Sequence, residues 1–145
     1  MTFYEIKSEL EMARNTRRQI RSMRKELDTF RDDMLAKANS GAIDYTKERL
    51  QSTHDPDAKM IYTIEYINKE EEKRKAKIIE LEESVQPYEQ LVYSLHGLET
   101  EVLRLFYLED WPMEKVAAHI NYDVTYAYSL RNKALNKLVE QEARK

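Results

Sequence analysis

The sequence predicts an all-α protein: a long N-terminal helical hairpin with coiled-coil-like spacing, followed by a C-terminal group of shorter helices. Glycine and proline, which most often interrupt regular structure, number only 2 and 3 among 145 residues. Charged residues make up 35% and hydrophobic residues 41%, a balance typical of long, solvated, amphipathic helices. In two stretches the apolar residues also recur every three or four positions, which is the period of an α-helix.

The first long helix is predicted from Phe3 to Met34. Its apolar face is interrupted only by two arginines, Arg17 and Arg24. The apolar members of this face are Phe3, Ile6, Leu10, Ala13, Ile20, Leu27, Phe30 and Met34. Spacings that alternate between three and four keep these positions on one side of a helix, so we expect a single long element.

The second long helix is predicted from Pro56 to Tyr88, with Asp55 as N-cap and Pro56 at the first helical position. Its face alternates fours and threes without a break. The members of this face are Met60, Ile64, Ile67, Glu71, Arg74, Ile78, Leu81, Val85 and Tyr88. Residues 39–53 are rich in turn formers around Gly41 and predict a connecting loop, with a short helix over residues 45–50.

Two arrangements satisfy these long helices. In an antiparallel hairpin, residues whose numbers add up to about 95 face each other. The facing pairs are then Leu27 with Ile67, Arg17 with Ile78, and Arg24 with Glu71. Alternatively, the same heptads contact a second copy of the chain, because charges within a seam also specify oligomer register. We expect a hairpin domain over residues 1–95 that mediates self-association or partner contact, and the sequence leaves both arrangements open.

The C-terminal segment, residues 96–145, has the spacing of a helix-turn-helix. Such a unit needs a small residue in its first helix, a residue that tolerates the left-handed conformation in its turn, and a cap on its second helix. Ala117, Asn121 and Asp123 meet these needs in order. The apolar contacts between the two helices are predicted at Val116, Ile120, Ala127 and Leu130.

A supporting helix precedes this unit. Its apolar residues are Val102, Leu103, Leu105, Phe106 and Leu108. Pro112 suits the first turn of the helix that follows. We expect Trp111 to fill space between these helices, and Tyr122 to be the tyrosine most deeply placed in the core.

Three short motifs carry a resemblance to a known family. Leu98-Glu99-Thr100-Glu101-Val102-Leu103-Arg104-Leu105, Glu114-Lys115-Val116-Ala117 and Lys133-Ala134-Leu135-Asn136-Lys137-Leu138 resemble the opening, middle and closing motifs of sigma-70 family region 4. Together with the charged helical N-terminus, the chain resembles small phage-encoded transcriptional regulators of the ArpU and RinA type. The resemblance implies binding to double-stranded promoter DNA in a bacterial cytoplasm, and contact with RNA polymerase.

The candidate DNA-binding residues lie on the second helix of the unit. A helix placed in the major groove would aim Thr125, Tyr126, Tyr128 and Ser129 at base edges, and Arg131, Asn132, Lys133 and Lys137 at phosphates. The tyrosines have a second interpretation as packing residues, and the lysines as ordinary solubilising side chains. Six bases in the first helix either pair with acids near residues 70–72, which we favour, or form a second DNA patch. They are Arg14, Arg17, Arg18, Arg21, Arg24 and Lys25.

Enzymatic and membrane functions find no support in the sequence. Cysteine is absent, and His54, His96 and His119 are scattered as surface residues, so we expect no metal site, no cofactor and no catalysis. No apolar stretch approaches the ~20 residues of a membrane span, and we expect a soluble protein without membrane contact.

The function we expect is sequence-specific transcriptional regulation, with self-association as a homo-oligomer. The net charge of −3 hides an asymmetry: residues 99–114 carry five acids and one base, whereas residues 115–145 carry six bases and three acids. A phage DNA-packaging protein, such as a small terminase subunit, also combines a helix-turn-helix with an oligomerising helix. A protein antagonist with a sigma-like fold, using its tyrosines as an interface, is a further alternative.

Overall fold

A computed structural model describes residues 1–40 and 56–145, and every regular element in these ranges is helical. The elements are α1 (Phe3–Ser40), α2 (Pro56–Tyr93), α3 (Leu98–Leu103), a π-helical turn (Arg104–Leu108), α4 (Met113–Ile120) and α5 (Val124–Ala143). The predicted all-α class is therefore confirmed for these ranges. Asp55, the rest of the predicted connecting loop and its short helix over residues 45–50 lie outside the described residues. No helix within the described ranges combines the length and apolarity of a membrane span.

Both long helices extend further than the sequence predicts. α1 continues six residues past Met34, and α2 runs through Pro87 to Tyr93. Pro87 lies inside α2, near the predicted end of that helix, and does not interrupt it. Pro87 lacks an N–H, and it leaves the carbonyl of Glu83 without its helical donor, but both residues are exposed to solvent and water can take over that bond.

The chain divides into two compact units. The first contains residues 1–20 and 81–145, and the second contains residues 21–80. The division passes through both long helices, so the N-terminal turns of α1 share a compact unit with the C-terminal helices. The sequence predicts a domain boundary between residues 95 and 96. That boundary separates parts of the chain that would fold independently, and it stays a prediction.

The core of the first unit joins both ends of the chain. Ile6 and Leu10 of α1 are buried together with Val92 of α2 and with the three C-terminal helices. The C-terminal members are Leu95, Val102, Leu103, Leu105, Phe106, Tyr107, Leu108, Met113, Val116, Ala117, Ile120, Ala127, Leu130, Ala134, Leu135 and Leu138. All the apolar contacts predicted for the helix-turn-helix and its supporting helix are in this set.

The π-helical turn from Arg104 to Leu108 is buried over its last four residues. Leu105, Phe106, Tyr107 and Leu108 are consecutive and all buried, which a helix with one exposed face cannot achieve. The guanidinium of Arg14, on α1, stacks on the Phe106 ring at 4.3 Å from its centroid. α1 therefore covers the side of this turn that a three-helix scaffold alone would leave to solvent.

In the second unit α1 and α2 contact each other within one chain. Arg31 donates to Glu71 at 2.5 Å and to Asn68, and Arg74 lies over the Phe30 ring at 4.4 Å. The residue numbers of these pairs add up to about 102, whereas about 95 was predicted, so the predicted pairing is wrong by one heptad. A seven-residue shift leaves a heptad pattern unchanged, which is why the spacing alone did not fix the register.

The predicted face of α2 also shifts near its start. Ile67 and Ile78 are buried as expected, but Met60 and Ile64 are exposed and Thr63 is buried in their place. The predicted apolar face therefore holds from Ile67 onward.

The turn between α4 and α5 is a Schellman motif. Asn121 adopts the left-handed conformation predicted for it, with φ 63°. The N–H of Tyr122 donates to the carbonyl of Ala117 at 3.1 Å, and the N–H of Asn121 donates to that of Ala118. Asp123 caps α5 as predicted, since its carboxylate accepts the N–H of Tyr126 at 2.7 Å. These contacts satisfy three of the backbone groups that the two helix ends leave unpaired, and they fix the path of the turn.

Tyr122 is not the core residue that the sequence predicted. Its side chain is 49% exposed, and its ring packs against the ring of Tyr126 with centroids 4.5 Å apart. The left-handed residue at Asn121 reverses the chain, and Tyr122 lies on the outer side of that reversal. The residues on either side of the turn that are buried in the core are Ile120 and Ala127.

Replacing Asn121 tests the turn. We expect Asn121→Gly to leave the free energy of unfolding nearly unchanged, because glycine adopts positive φ freely. Asn121→Val should lower it by about 1–2 kcal/mol, since a β-branched residue is strained there. Ala118→Val, at an exposed helical position, is the control and should cost about 0.5 kcal/mol. Urea denaturation measures all three, and equal losses for both valine variants would show that the left-handed turn imposes no strain.

Candidate nucleic-acid interface

The candidate interface is the exposed face of α5. Ala127, Leu130, Ala134, Leu135 and Leu138 point into the core, and at 3.6 residues per turn the opposite face is free of core contacts. We call this face the polar ridge, and its members are Thr125, Tyr126, Tyr128, Ser129 and Asn132, all exposed. The residues predicted to reach base edges therefore lie together on one solvent-facing surface.

The tyrosines of the polar ridge are not buried in the helical core. Tyr126 and Tyr128 are 41% and 40% exposed. Tyr126 packs on Tyr122, and the guanidinium of Arg131 lies 5.0 Å from the centre of the Tyr128 ring. These contacts hold the rings in place and leave much of their surface available to a partner.

Arg131 lies along one edge of the polar ridge. It is half-buried, stands 5.8 Å from the centre of the Phe106 ring, and donates to the side-chain oxygen of Asn132 at 3.0 Å. Two aromatic rings and an amide thus restrict a side chain that would otherwise be mobile. Its cationic charge is held beside Tyr128.

Lys133 and Lys137 lie along the other edge, next to a carboxylate that sequence reasoning missed. Lys137 donates to Glu99 at 2.9 Å, and the Lys133 ammonium is 3.9 Å from the same oxygen. The Glu99 side chain is only 11% exposed, in the first turn of α3. Lys137 therefore has a structural partner, Glu99, in addition to the phosphate contact predicted for it. The two residues are 38 positions apart, and no local motif in the sequence predicts their contact.

The acidic stretch from Glu99 to Glu114 is largely neutralised by bases. Four of its five acids have a basic partner within 4.0 Å, and only Glu114 has no ion pair in the described part of the chain. The pairs are Glu99 with Lys137, Glu101 with Arg104, Glu109 with Arg17, and Asp110 with Arg14 and Arg18. Most of this stretch is therefore ion-paired.

The arginines of α1 supply three of these partners. Arg14 and Arg18 both bind Asp110, each at 2.6 Å, and Arg17 donates to Glu89 at 2.5 Å and to the carbonyl of Leu108 at 2.7 Å. Intramolecular pairing was the favoured prediction, but acids near residues 70–72 are the wrong partners for these three side chains. Glu71 pairs with Arg31 instead.

Asp110 is the focus of this network. Its φ of 59° places it in the left-handed region, which aspartate tolerates better than most residues. Hydrogen bonds from Arg18, with those from Arg14, lower the pKa of the Asp110 carboxyl from 3.8 to about 2. The carboxylate is therefore charged at neutral pH, and it ties α1 to the segment between α3 and α4.

Trp111 lies beside two residues of α4, Lys115 and His119. Trp111 is half-buried against the core, with the ammonium of Lys115 4.0 Å above its ring and the ring of His119 against it at 5.5 Å. His96 and His119 are exposed, as predicted, and His54 lies outside the described residues. Residues 1–40 and 56–145 contain no group of three potential metal ligands.

Comparison of the chain with protein-family models, with curated proteins and with solved structures finds no match.

The Asp110 network predicts a stability difference that depends on pH. A carboxyl whose pKa is lowered by folding stabilises the folded state above its unfolded pKa, and that contribution disappears as pH falls through the folded pKa. Wild type should therefore exceed Asp110→Asn in free energy of unfolding at pH 5–7, and the gap should close between about pH 4 and pH 2. Guanidinium titrations across this range measure the gap. Glu109→Gln is the control with a weaker partner, and a constant gap for Asp110→Asn would contradict the network.

The two lysines beside Glu99 should differ in their effect on stability. Lys137→Ala removes the close partner of a nearly buried carboxylate and should cost about 1–2 kcal/mol, discounted because Lys137 itself is half exposed. Lys133→Ala, whose ammonium is more distant, should cost about 0.5 kcal/mol or less. Urea denaturation of both variants measures this contrast, and equal losses would count against it.

Proposed function

We propose that the protein is a sequence-specific regulator of transcription that binds double-stranded DNA by inserting α5 into the major groove. The observation that carries the proposal is the polar ridge, a row of exposed polar and aromatic side chains on a helix whose other face is locked in the core. The major groove of B-DNA, about 12 Å wide, accommodates one α-helix.

The turn that precedes α5 supports this proposal. A helix-turn-helix presents its second helix through a short turn whose angle is fixed by a left-handed residue and by apolar contacts on both helices. Asn121 supplies the left-handed residue, and Val116, Ala117 and Ala127 supply buried contacts. We therefore interpret α4, the turn and α5 as a helix-turn-helix, in agreement with the resemblance to sigma-70 family region 4.

The distribution of charge along α5 fits the two strands of a duplex. Arg131 lies beyond one edge of the polar ridge, and Lys133 and Lys137 lie along the opposite edge. The phosphates of the two strands line the two sides of the major groove, so each edge meets one backbone. Phosphate contacts on both sides orient the helix, and the ridge is left to contact bases.

The pairing of the acidic stretch removes an obstacle to DNA binding. Unpaired carboxylates at Glu99 and Asp110, close to the bases of α5 and α1, would repel phosphates. Each is instead held within 3 Å of a cationic side chain. The negative net charge of the whole chain therefore does not oppose binding through this surface.

The stacked pair of Tyr122 and Tyr126 favours a second candidate function. Exposed tyrosines are frequent at the centres of protein interfaces, so the same surface suits a protein antagonist that contacts another protein and no DNA. Contact with RNA polymerase, self-association and a phage origin stay predictions from the sequence. A ring-like oligomer in sedimentation measurements would favour the packaging alternative.

Selection from a library of random duplexes at two salt concentrations tests the proposal. Wild type should enrich one motif, because each good base contact discriminates by about 1–3 kcal/mol. The double variant Thr125→Ala, Tyr126→Ala should lose the enrichment while keeping binding at low salt. Lys133→Ala should weaken binding to all duplexes equally, since a phosphate contact carries no sequence information.

The matched control is the double variant Tyr4→Ala, Ser8→Ala, which removes an exposed tyrosine and a hydroxyl from α1. It should enrich the same motif as wild type. No enrichment by wild type, with binding absent or abolished by moderate salt, would refute the regulator and favour the protein antagonist.

A further inference from the structure

The side chains around Phe106 connect α1 to the proposed DNA-binding helix. The guanidinium carbons of Arg14 and Arg131 lie 4.3 and 5.8 Å from the centre of the same ring, so they are at most about 10 Å apart. Tyr128 of the polar ridge is the next aromatic contact of Arg131. A continuous row of cationic and aromatic side chains thus runs from the ridge to α1.

Arg18 extends this row by one helical turn. It binds Asp110 through two parallel hydrogen bonds, Nε to Oδ2 at 2.6 Å and Nη2 to Oδ1 at 2.7 Å. Its side chain is 59% exposed, and its Nη1 makes no hydrogen bond within the described ranges. The fork that holds Asp110 fixes the guanidinium plane while one donor group stays available to an anion.

The charges along this edge do not cancel. Four arginines lie along it, Arg14, Arg17, Arg18 and Arg131. Asp110, Glu89 and Glu109 offset three of them, which leaves an excess of one. On the opposite edge Glu99 offsets one of Lys133 and Lys137, which leaves an excess of one. Each edge therefore keeps one positive charge in excess, and Arg18 is an exposed member of the edge that includes α1.

We propose that Arg18 binds a phosphate of the DNA strand that passes along the Arg131 edge, with Asp110 and Arg14 as positioning residues. The inference rests on the proposed function, and it adds the first helix to the DNA-contacting surface. An exposed ion pair such as that of Arg18 contributes little to stability. Arg14 already connects α1 to Asp110, so the bond from Arg18 adds little to that connection. A phosphate that accepts from the free Nη1 group gives Arg18 a role of its own.

Binding of duplex DNA at a series of salt concentrations tests this proposal with Arg18→Ala. The probes are the enriched duplex and a scrambled duplex of equal length. Loss of one phosphate contact should lower the slope of log affinity against log salt by up to about 0.9, with the full value reduced because Asp110 already compensates part of the Arg18 charge. Affinity should fall roughly threefold to tenfold on both probes. Arg144→Ala, which removes an equal charge from the far end of α5, is the control and should match wild type.

A second variant shows whether a loss of binding comes from the missing charge or from misfolding. Arg18→Gln keeps the aliphatic stem and one donor while removing the charge, and it should show the same fall in slope. Phosphate ethylation interference should then show positions on one strand that block wild type but no longer affect either variant. A wild-type slope for both variants, or an equal loss with Arg144→Ala, would overturn the role of Arg18.

The two proposals fail in different ways. If wild type enriches a motif that the Thr125→Ala, Tyr126→Ala variant loses, but the Arg18 variants bind like wild type, only the phosphate contact is wrong. If wild type binds neither probe at low salt, the regulator and the phosphate contact are both refuted.

Discussion

The structure depends on burying the first turns of α1 in the same core as the C-terminal helices. Ile6 and Leu10 are almost fully inaccessible in that core, and the fully apolar turn from Leu105 to Leu108 needs a cover on the side that α4 and α5 do not reach. Burial of large aliphatic side chains contributes about 1.5–3 kcal/mol each, more than the exposed ion pairs around them. The arginine network of Asp110 therefore sets the orientation of α1, and the apolar contacts supply most of the free energy.

That arrangement explains why an acidic stretch lies beside a proposed DNA-binding helix. An acid near a helix that binds phosphate is unfavourable unless a base lies closer to it than the phosphate does. Asp110 has two arginines of α1, and Glu99 has two lysines of α5. Each carboxylate restricts long, flexible cationic side chains, and restricting them before binding reduces the conformational entropy lost on contact with DNA.

Local features of the fold were predictable from the sequence, and contacts between distant segments were not. Asn121 and Asp123 were assigned correctly because a left-handed turn and a helix cap depend on the residue itself and on its near neighbours. The pairing of α1 with α2 was placed one heptad away, since a periodic pattern matches itself after seven residues. The partners of Arg14 and Lys137 depend on how segments 96 and 38 positions apart pack, and no spacing rule encodes that. One available signal was missed: four consecutive apolar residues from Leu105 to Leu108 indicate burial on all sides, hence a cover supplied by another segment.

In the proposed complex with DNA, the shared carboxylates also determine how the salt dependence of binding relates to the number of bases on the surface. A lysine that keeps its bond to Glu99 while touching a phosphate releases less than a full counterion, because part of its charge is already compensated. Arg131, whose contacts are two aromatic rings and a neutral amide, retains its full charge. Arg131, Lys133, Lys137 and Arg18 would give four full phosphate contacts if each carried its whole charge. The slope of log affinity against log salt for wild type should therefore be smaller than four such contacts give. A base held by a carboxylate attracts phosphate less strongly, but its position is fixed. Fixed phosphate contacts set the register of a protein on DNA and so favour discrimination between sequences, whereas stronger attraction raises the affinity for every duplex equally.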